Sequence, residues 1–161
     1  MPYKHNMKRI LYLLATLPLW VACDKTPVNG DLDGEWILQE IHSKTSPSDM
    51  QYNHKHTDKR QSPTFWNVAQ QLIGINTPLE LHNGKTNDTF CRFAYSGNRL
   101  NITDNYVHYR DSDSLLTDSS IQLLTEVGIR GNATTFEIKR LSGSQLILCS
   151  EMDSLIFRKK H

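Results

Sequence analysis

The sequence predicts an all-β fold, an antiparallel meander of strands accompanied by one short helix. Short segments with alternating apolar and polar residues recur along the 161-residue chain, and this alternation is typical of strands with one buried face. Turn-forming residues separate the segments, and connections of only three residues join the last three. A chain of this length is expected to form one domain that buries a core without needing a disulfide or a metal.

The predicted strands follow one another in the chain with their turns. The first strand ends in a polar stretch, 43–62, which we interpret as a loop, and a second long polar connection covers 104–118. Residues 118–128 begin with Asp and Ser and stop at a glycine, which favours the short helix or turn. The strands themselves are EWILQEIH (35–42), TFCRFAY (89–95), RLNIT (99–103), TFEIKRL (135–141), QLILCS (145–150) and SLIFRKK (154–160).

Two segments need a separate interpretation. Residues 77–88 contain Asn83-Gly84, the pair that favours a tight hairpin turn. Residues 62–74, SPTFWNVAQQLIG, fit the apolar spacing of a helix, with Ser62 as a cap and a proline in the first turn. The same residues also fit a strand face, so the local pattern leaves both structures open.

The N-terminus has the composition of a targeting segment. Residues 1–22 carry basic residues and no acidic one, and an apolar run over 10–22 is too short to span a membrane. This pattern predicts a secretory signal peptide, with translation starting at Met1 or Met7. A polar tether is expected over 23–31, followed by a folded domain over 32–161.

The residues before Cys23 resemble the lipobox of bacterial lipoproteins. Ala22 is the small residue expected there, whereas Trp20 departs from the usual aliphatic residue. The resemblance implies cleavage before Cys23 and acylation of its thiol, which would hold the protein on a lipid bilayer of the cell envelope with two or three acyl chains. The expected location is the outer membrane, on its periplasmic or surface face.

Lipidation of one cysteine leaves two of the three cysteines in the chain. Cys91 and Cys149 both lie in predicted strands. In an exported protein they could form a disulfide or remain two buried thiols, and the sequence leaves both alternatives open.

The start and the end of the predicted domain resemble the lipocalin pattern. The Gly-x-Trp marker of that family is Gly34-Glu35-Trp36, and Arg158 is the candidate for its arginine near the end of the last strand. In the family, that arginine packs across the tryptophan and closes the base of the barrel, a favourable cation–π contact. The resemblance therefore implies an antiparallel β-barrel closed by Gly34, Trp36 and Arg158.

A closer likeness is to lipocalin-like lipoproteins of Bacteroidetes-type bacteria, and it covers about residues 30–160. It adds the Leu32-x-Gly34-x-Trp36 start and Gly128-Ile129 before the last strands. This likeness implies that 64–74 is strand, against the local helical pattern. It also covers the apolar positions of the C-terminal strands, namely Phe136, Ile138, Leu141, Leu146, Leu148, Leu155, Phe157 and the following Lys159.

Charge and motifs exclude several functions. The net charge of +1 comes without a basic stripe, which argues against nucleic-acid binding. The sequence has no nucleophile elbow, phosphate loop or His-Glu-x-x-His motif, so we expect no enzyme and no cofactor. His-Lys-His at 54–56 could present two imidazoles to zinc or copper, but its polar surroundings favour solvated histidines and no metal site.

These features predict a membrane-anchored binding module for a small apolar or amphipathic ligand. The aromatic residues Phe65, Trp66, Phe90, Phe93, Tyr95, Tyr106 and Phe136 could line a cup for it or simply pack the core. The alternative function is a non-catalytic accessory subunit that docks on another envelope protein through residues 43–62 and 104–118.

Overall fold

The structure is a computed structural model, and it describes residues 27–52, 55–78, 88–108, 113–116 and 122–160. Within these ranges the chain forms ten strands and two short 3₁₀ segments, Gly30–Leu32 and Gln122–Val127. The predicted all-β fold is confirmed, and the second 3₁₀ segment is the short helix expected within 118–128. The strands are β1 (Gly34–Ser43), β2 (Lys55–Asp58), β3 (Thr64–Ala69), β4 (Leu72–Asn76), β5 (Asp88–Ser96), β6 (Arg99–His108), β7 (Asp113–Leu115), β8 (Thr134–Leu141), β9 (Gln145–Cys149) and β10 (Asp153–Lys159).

Eight of these strands close into an antiparallel barrel. Their order around the wall is β1-β3-β4-β5-β6-β8-β9-β10, and β10 pairs back onto β1 from Trp36↔Lys159 to Ser43↔Asp153. The two remaining strands lengthen the wall, because β2 continues along β1 beyond β3 and β7 pairs with the end of β6. A closed wall removes the exposed strand edges of an open sheet.

The segment at 62–74 is strand, as the family likeness implied, and it contains two strands rather than one. β3 and β4 form a hairpin in which Trp66 and Val68 are buried beside Ile75 and Ile73. The turn between them is possible because Gln70 adopts the left-handed backbone, with φ of 56°. The local helical spacing was misleading because alternate residues of β3 face the core, and this burial outweighs local propensity.

The two predicted polar loops contain more strand than expected. The stretch 43–62 includes β2, and 104–118 includes the end of β6 and all of β7. β2 and β7 are short and mainly polar, so neither shows a clear alternation of apolar and polar residues in the sequence. The Asn83-Gly84 turn, the signal segment 1–22 and Cys23 lie outside the described residues and stay predictions.

The interior of the barrel differs along its axis. The end where β1 begins and β10 ends, called the closed end below, is filled by buried apolar side chains such as Leu32, Trp36, Val68 and Leu100. The end where β1 ends and β10 begins, called the polar end, carries most of the buried polar side chains. Alternate residues of each strand project into the barrel, and the pairing of the strands sets the level that each of them reaches. The polarity of each end therefore follows from which inward residues lie at that level.

Candidate functional site

The closed end is sealed around Trp36. Its indole N–H donates a hydrogen bond of 2.8 Å to the carbonyl oxygen of Leu32, in the 3₁₀ segment that crosses this end. The ammonium of Lys159 lies 4.9 Å from the centre of the Trp36 ring and donates to the Asp31 carbonyl at 2.8 Å. Gly34 leaves room for this lysine, because an added Cβ would lie 3.0 Å from Lys159 Cε.

The cation over Trp36 is therefore Lys159 and not Arg158, which corrects the sequence expectation. Leu155 and Phe157 are buried, so the alternation of β10 brings Lys159 to the same side as these residues and turns Arg158 outward. Arg158 pairs with Ile37 along the backbone and its side chain is exposed.

Toward the polar end, a level of the interior is lined by small polar side chains, which we call the polar layer. Its members face inward and none is more than 6% exposed. The hydroxyls of two of them, Thr64 on β3 and Thr77 after β4, are hydrogen-bonded at 3.0 Å. The polar layer consists of Thr64, Thr77, Thr89, Asn105 and Thr134.

Two buried polar atoms at or beside this layer lack a hydrogen-bond partner among the described residues. They are the indole nitrogen of Trp66 and the amide oxygen of Asn105. Trp66 occupies the next inward position of β3 after Thr64, toward the closed end. The amide nitrogen of Asn105 does have acceptors, the carbonyl oxygens of Gly131 and Asn132, each at 3.4 Å. A buried polar atom without a partner costs about 1–3 kcal/mol, so one unpaired donor and one unpaired acceptor inside a barrel need an explanation.

An apolar cover closes the polar end above this layer. It consists of the buried residues Leu116, Leu124, Val127 and Ile129. Gly128, in the middle of the cover, has φ of +89°, and a Cβ there would lie 2.5 Å from a methyl carbon of Leu155. The cover is therefore in direct contact with β10.

Ion pairs hold the cover to the wall. Asp153 at the start of β10 is fully buried, and both its oxygens accept hydrogen bonds from the Arg130 guanidinium, one of them at 3.0 Å. Ser43 donates to the same carboxylate. The hydrogen bond to Asp153 raises the pKa of Arg130. On the other side, Lys59 Nζ lies 3.6 Å from Glu126 Oε2.

The sequence analysis did not predict these buried polar contacts. Ser43 and Asp153 are 110 residues apart in the chain, and only strand register brings them together. The Gly128-Ile129 pair was recognised as part of the family pattern, but its contact with Leu155 was not.

Both remaining cysteines are free thiols in the structure. Cys91 is buried on β5 and faces the interior, and its burial raises the pKa of the thiol. Cys149 is half-buried on the outer face of β9, 3.5 Å from the Ser154 hydroxyl. The two side chains lie on opposite faces of the wall, on strands separated by β6 and β8, so the fold keeps them apart.

The predicted aromatic cup is divided between the two faces of the wall. Trp66, Phe93 and Phe136 lie inside, and the edge of Phe136 meets Trp66 with ring centres 6.2 Å apart. Phe90 and Tyr106 instead line shallow clefts on the outer face of β4, β5 and β6, one of about 380 Å³ and one of about 390 Å³. Phe65 is half-buried on the outer face, and Tyr95 packs at the margin of the core.

This closed barrel with its tryptophan at the base defines the class of the protein as a lipocalin-like β-barrel. The lipocalin-like domain family matches residues 16–160, and the chain therefore belongs to that family. The resemblance found in the sequence is confirmed. Proteins of this type are in general non-catalytic binding proteins.

Two crystal structures show the same fold. A lipocalin-like protein from Bacteroides uniformis is 23% identical with a TM-score of 0.52, and the match covers 81% of this chain and all of that one. A protein from Bacteroides eggerthii is 16% identical with a TM-score of 0.51, over 80% of this chain and 98% of that one. No curated protein matches the sequence. Among the described residues, no helix has the length and apolar character needed to cross a bilayer.

Proposed function

We propose that this protein is a non-catalytic binding module that holds one small amphipathic molecule in the polar layer, beneath the cover. The observation that carries the proposal is a pair of buried atoms, the Trp66 donor and the Asn105 acceptor, that have no partner in the part of the chain that the structure describes. A ligand with one acceptor and one donor would satisfy both atoms and so recover the free energy that their burial costs.

The shape of the interior supports the same assignment. An eight-stranded barrel has room for about one small ligand when its inward side chains are small enough. Threonines and one asparagine are smaller than the tryptophans and leucines toward the closed end, so the polar layer is where space for a ligand is expected. The surrounding residues are apolar on both sides, with Trp66 and Phe136 toward the closed end and Leu116 and Leu124 in the cover.

The ligand would therefore have an apolar body and a small polar group. An apolar body fits the walls, and the polar group pairs with Trp66 and Asn105. Access requires the cover to open. Its 3₁₀ segment is short and is held on one side by the half-exposed Glu126, whose pair with Lys59 is partly solvated.

Binding of the amphipathic dye 1-anilinonaphthalene-8-sulfonate tests this site. Trp66→Phe and Asn105→Leu should each weaken dye binding about tenfold or more, because each removes one polar contact of about 1.4 kcal/mol. Leu72→Ser is the matched control for dye bound to the outer clefts, and it should leave the affinity unchanged. Equal affinity in the wild type and the Trp66 and Asn105 variants would mean that the polar layer holds only water, against the proposal.

We also propose that the module works at the surface of a membrane, anchored through acylated Cys23. The support is the short apolar run at residues 10–22 followed by Ala22-Cys23. A lipid anchor would place the barrel beside a bilayer, which is a source of amphipathic molecules. In cells fed a clickable palmitate analogue, the wild type should be labelled and Cys23→Ala should not. Unchanged labelling of the variant would refute the anchor and leave the ligand site untouched.

A further inference from the structure

On the outer face of the barrel, three metal-ligating side chains meet where β1 pairs with β2. We propose that Glu40, His42 and His56 bind one divalent late transition-metal ion, such as Zn²⁺ or Cu²⁺. Two imidazoles and a carboxylate form a donor set that suits these ions. The site lies outside the barrel and is independent of the ligand proposed for the interior.

The backbone places the three residues with little freedom. A bulge in β1 between Leu38 and Glu40 shifts the register, so that Glu40 and His42 both face outward while Leu38 and Ile41 remain buried. His56 on β2 is the direct cross-strand partner of His42. The two strands therefore hold the donors in position before an ion arrives, which lowers the entropic cost of binding.

The distances fit a common metal ion. His42 Nε2 lies 3.0 Å and His56 Nε2 lies 3.3 Å from the same carboxylate oxygen, Glu40 Oε2, and the three atoms all lie within 4.8 Å of one another. Donor atoms about 2.1 Å from a tetrahedral Zn²⁺ are roughly 3.4 Å apart, so small side-chain movements suffice. The imidazole rings are already adjacent, with centres 4.6 Å apart.

The surroundings of the Glu40 carboxylate favour its binding of a metal ion. Arg60 pairs with the other oxygen, Oε1, and leaves Oε2 facing the imidazoles. The hydrogen bond from His42 lowers the pKa of the Glu40 carboxyl. Asp58, directly across from Glu40 on β2, offsets part of the Arg60 charge.

A metal ion would take the place of the imidazole protons. Because an ionised carboxylate oxygen can only accept, a hydrogen bond from either imidazole to Glu40 Oε2 requires a proton on that Nε2. For coordination, each Nε2 instead presents its lone pair to the ion, with the remaining proton of the neutral ring on Nδ1. His56 is 49% exposed, so an ion can enter from solvent and keep a water molecule in its fourth position.

This assignment differs from the His-Lys-His pattern in the sequence. That pattern pairs His54 with His56 along one strand, and His54 lies outside the described residues. The structure instead supplies the partners of His56 from β1, which is 13 residues or more away in the chain. A bound ion would pin β2 to β1 and so stabilise the connection between them.

Calorimetric titration of the full-length protein, purified without a histidine tag, with ZnCl₂ and with CuSO₄ tests the site. The wild type should bind one ion per chain. His42→Ala and Glu40→Gln should each weaken binding at least about 100-fold, since losing even an outer partner of a metal ligand costs about 10–100-fold. Zn²⁺ should raise the melting temperature of the wild type and leave that of His42→Ala unchanged.

His54→Ala is the matched control, and it should bind as the wild type does. Far-UV circular dichroism of each variant checks that the barrel is intact. Loss of binding in His54→Ala with normal binding in His42→Ala would assign the ion to the His-Lys-His segment and overturn the proposal. Absence of binding to the folded wild type, or unchanged binding in both His42→Ala and Glu40→Gln, would overturn it as well.

Discussion

Two regions of the barrel interior, the closed end and the polar layer, differ in whether their buried polar atoms have hydrogen-bond partners among the described residues. At the closed end, Trp36 donates to Leu32 and the Lys159 ammonium donates to Asp31. In and beside the polar layer, Asn105 and Trp66 each keep one buried atom without a partner among the described residues. Trp36 and Trp66 are direct neighbours across β1 and β3, so the difference lies in what each indole N–H meets. This difference supports our proposal that the closed end seals the barrel and that a ligand binds at the polar layer.

The largest loss in the free energy of unfolding should come from breaking the buried ion pair between Arg130 and Asp153 at the polar end. Arg130→Met leaves the Asp153 carboxylate buried with Ser43 as its one remaining donor among the described residues. Loss of one partner of a buried pair costs about 3–5 kcal/mol, and the low end applies because Arg130 is 37% exposed. Urea denaturation measures the free energy of unfolding. Arg158→Met is the control and should change it by less than about 0.5 kcal/mol.

The contact between the cover and β10 is tested at Gly128. Gly128→Ala adds a Cβ against the buried Leu155 and also strains a left-handed backbone, which together should cost about 2–4 kcal/mol. Gly131→Ala shares the positive φ but meets nothing within 4 Å, and it should cost only about 1 kcal/mol. Equal losses for the two variants in thermal unfolding would show that Leu155 yields and that the contact does not fix the cover.

The two neighbouring tryptophans give the most direct contrast between an indole N–H that has an acceptor and one that has none among the described residues. Trp36→Phe leaves the Leu32 carbonyl without its indole donor, whereas Trp66→Phe removes a donor that has no partner among the described residues. Both variants lose similar ring volume, so Trp36→Phe should be the less stable by about 1–3 kcal/mol. The comparison of their urea midpoints measures this difference. A less stable Trp66→Phe would mean that its N–H is paired in solution.

The smallest effect should come from the cation at the closed end. Lys159→Met loses a cation–π contact at a partly exposed site, worth about 0.5–1 kcal/mol, together with the hydrogen bond to Asp31. Arg158→Met should leave the stability unchanged, as for the control above. If thermal unfolding instead showed Arg158→Met to be less stable than Lys159→Met, Arg158 would be the residue that closes the barrel.

Much of the barrel wall could be predicted because apolar and polar residues alternate along its strands. β5, the first part of β6 and the three C-terminal strands have one buried face, and that pattern is local. The same alternation in β10 also indicates that Lys159, two residues after Phe157, faces the closed end. The family marker favoured Arg158, so here the local pattern was the better guide.

The candidate sites could not be predicted, because they depend on register between distant strands. His42 meets His56 only because β2 pairs with β1, and β2 is four mainly polar residues without apolar alternation. Likewise, nothing local distinguishes Trp66 from Trp36. Their different environments arise from the 3₁₀ segment that brings the Leu32 carbonyl to one indole and not to the other.

Native mass spectrometry of the protein purified from its own cells in mild detergent tests most directly whether the polar layer holds a small amphipathic molecule, as we propose. We predict one bound small molecule per chain in the wild type and in Trp36→Phe, and its loss in Trp66→Phe. A wild type that carries no bound molecule, or a molecule that persists at equal occupancy in Trp66→Phe, would contradict the account.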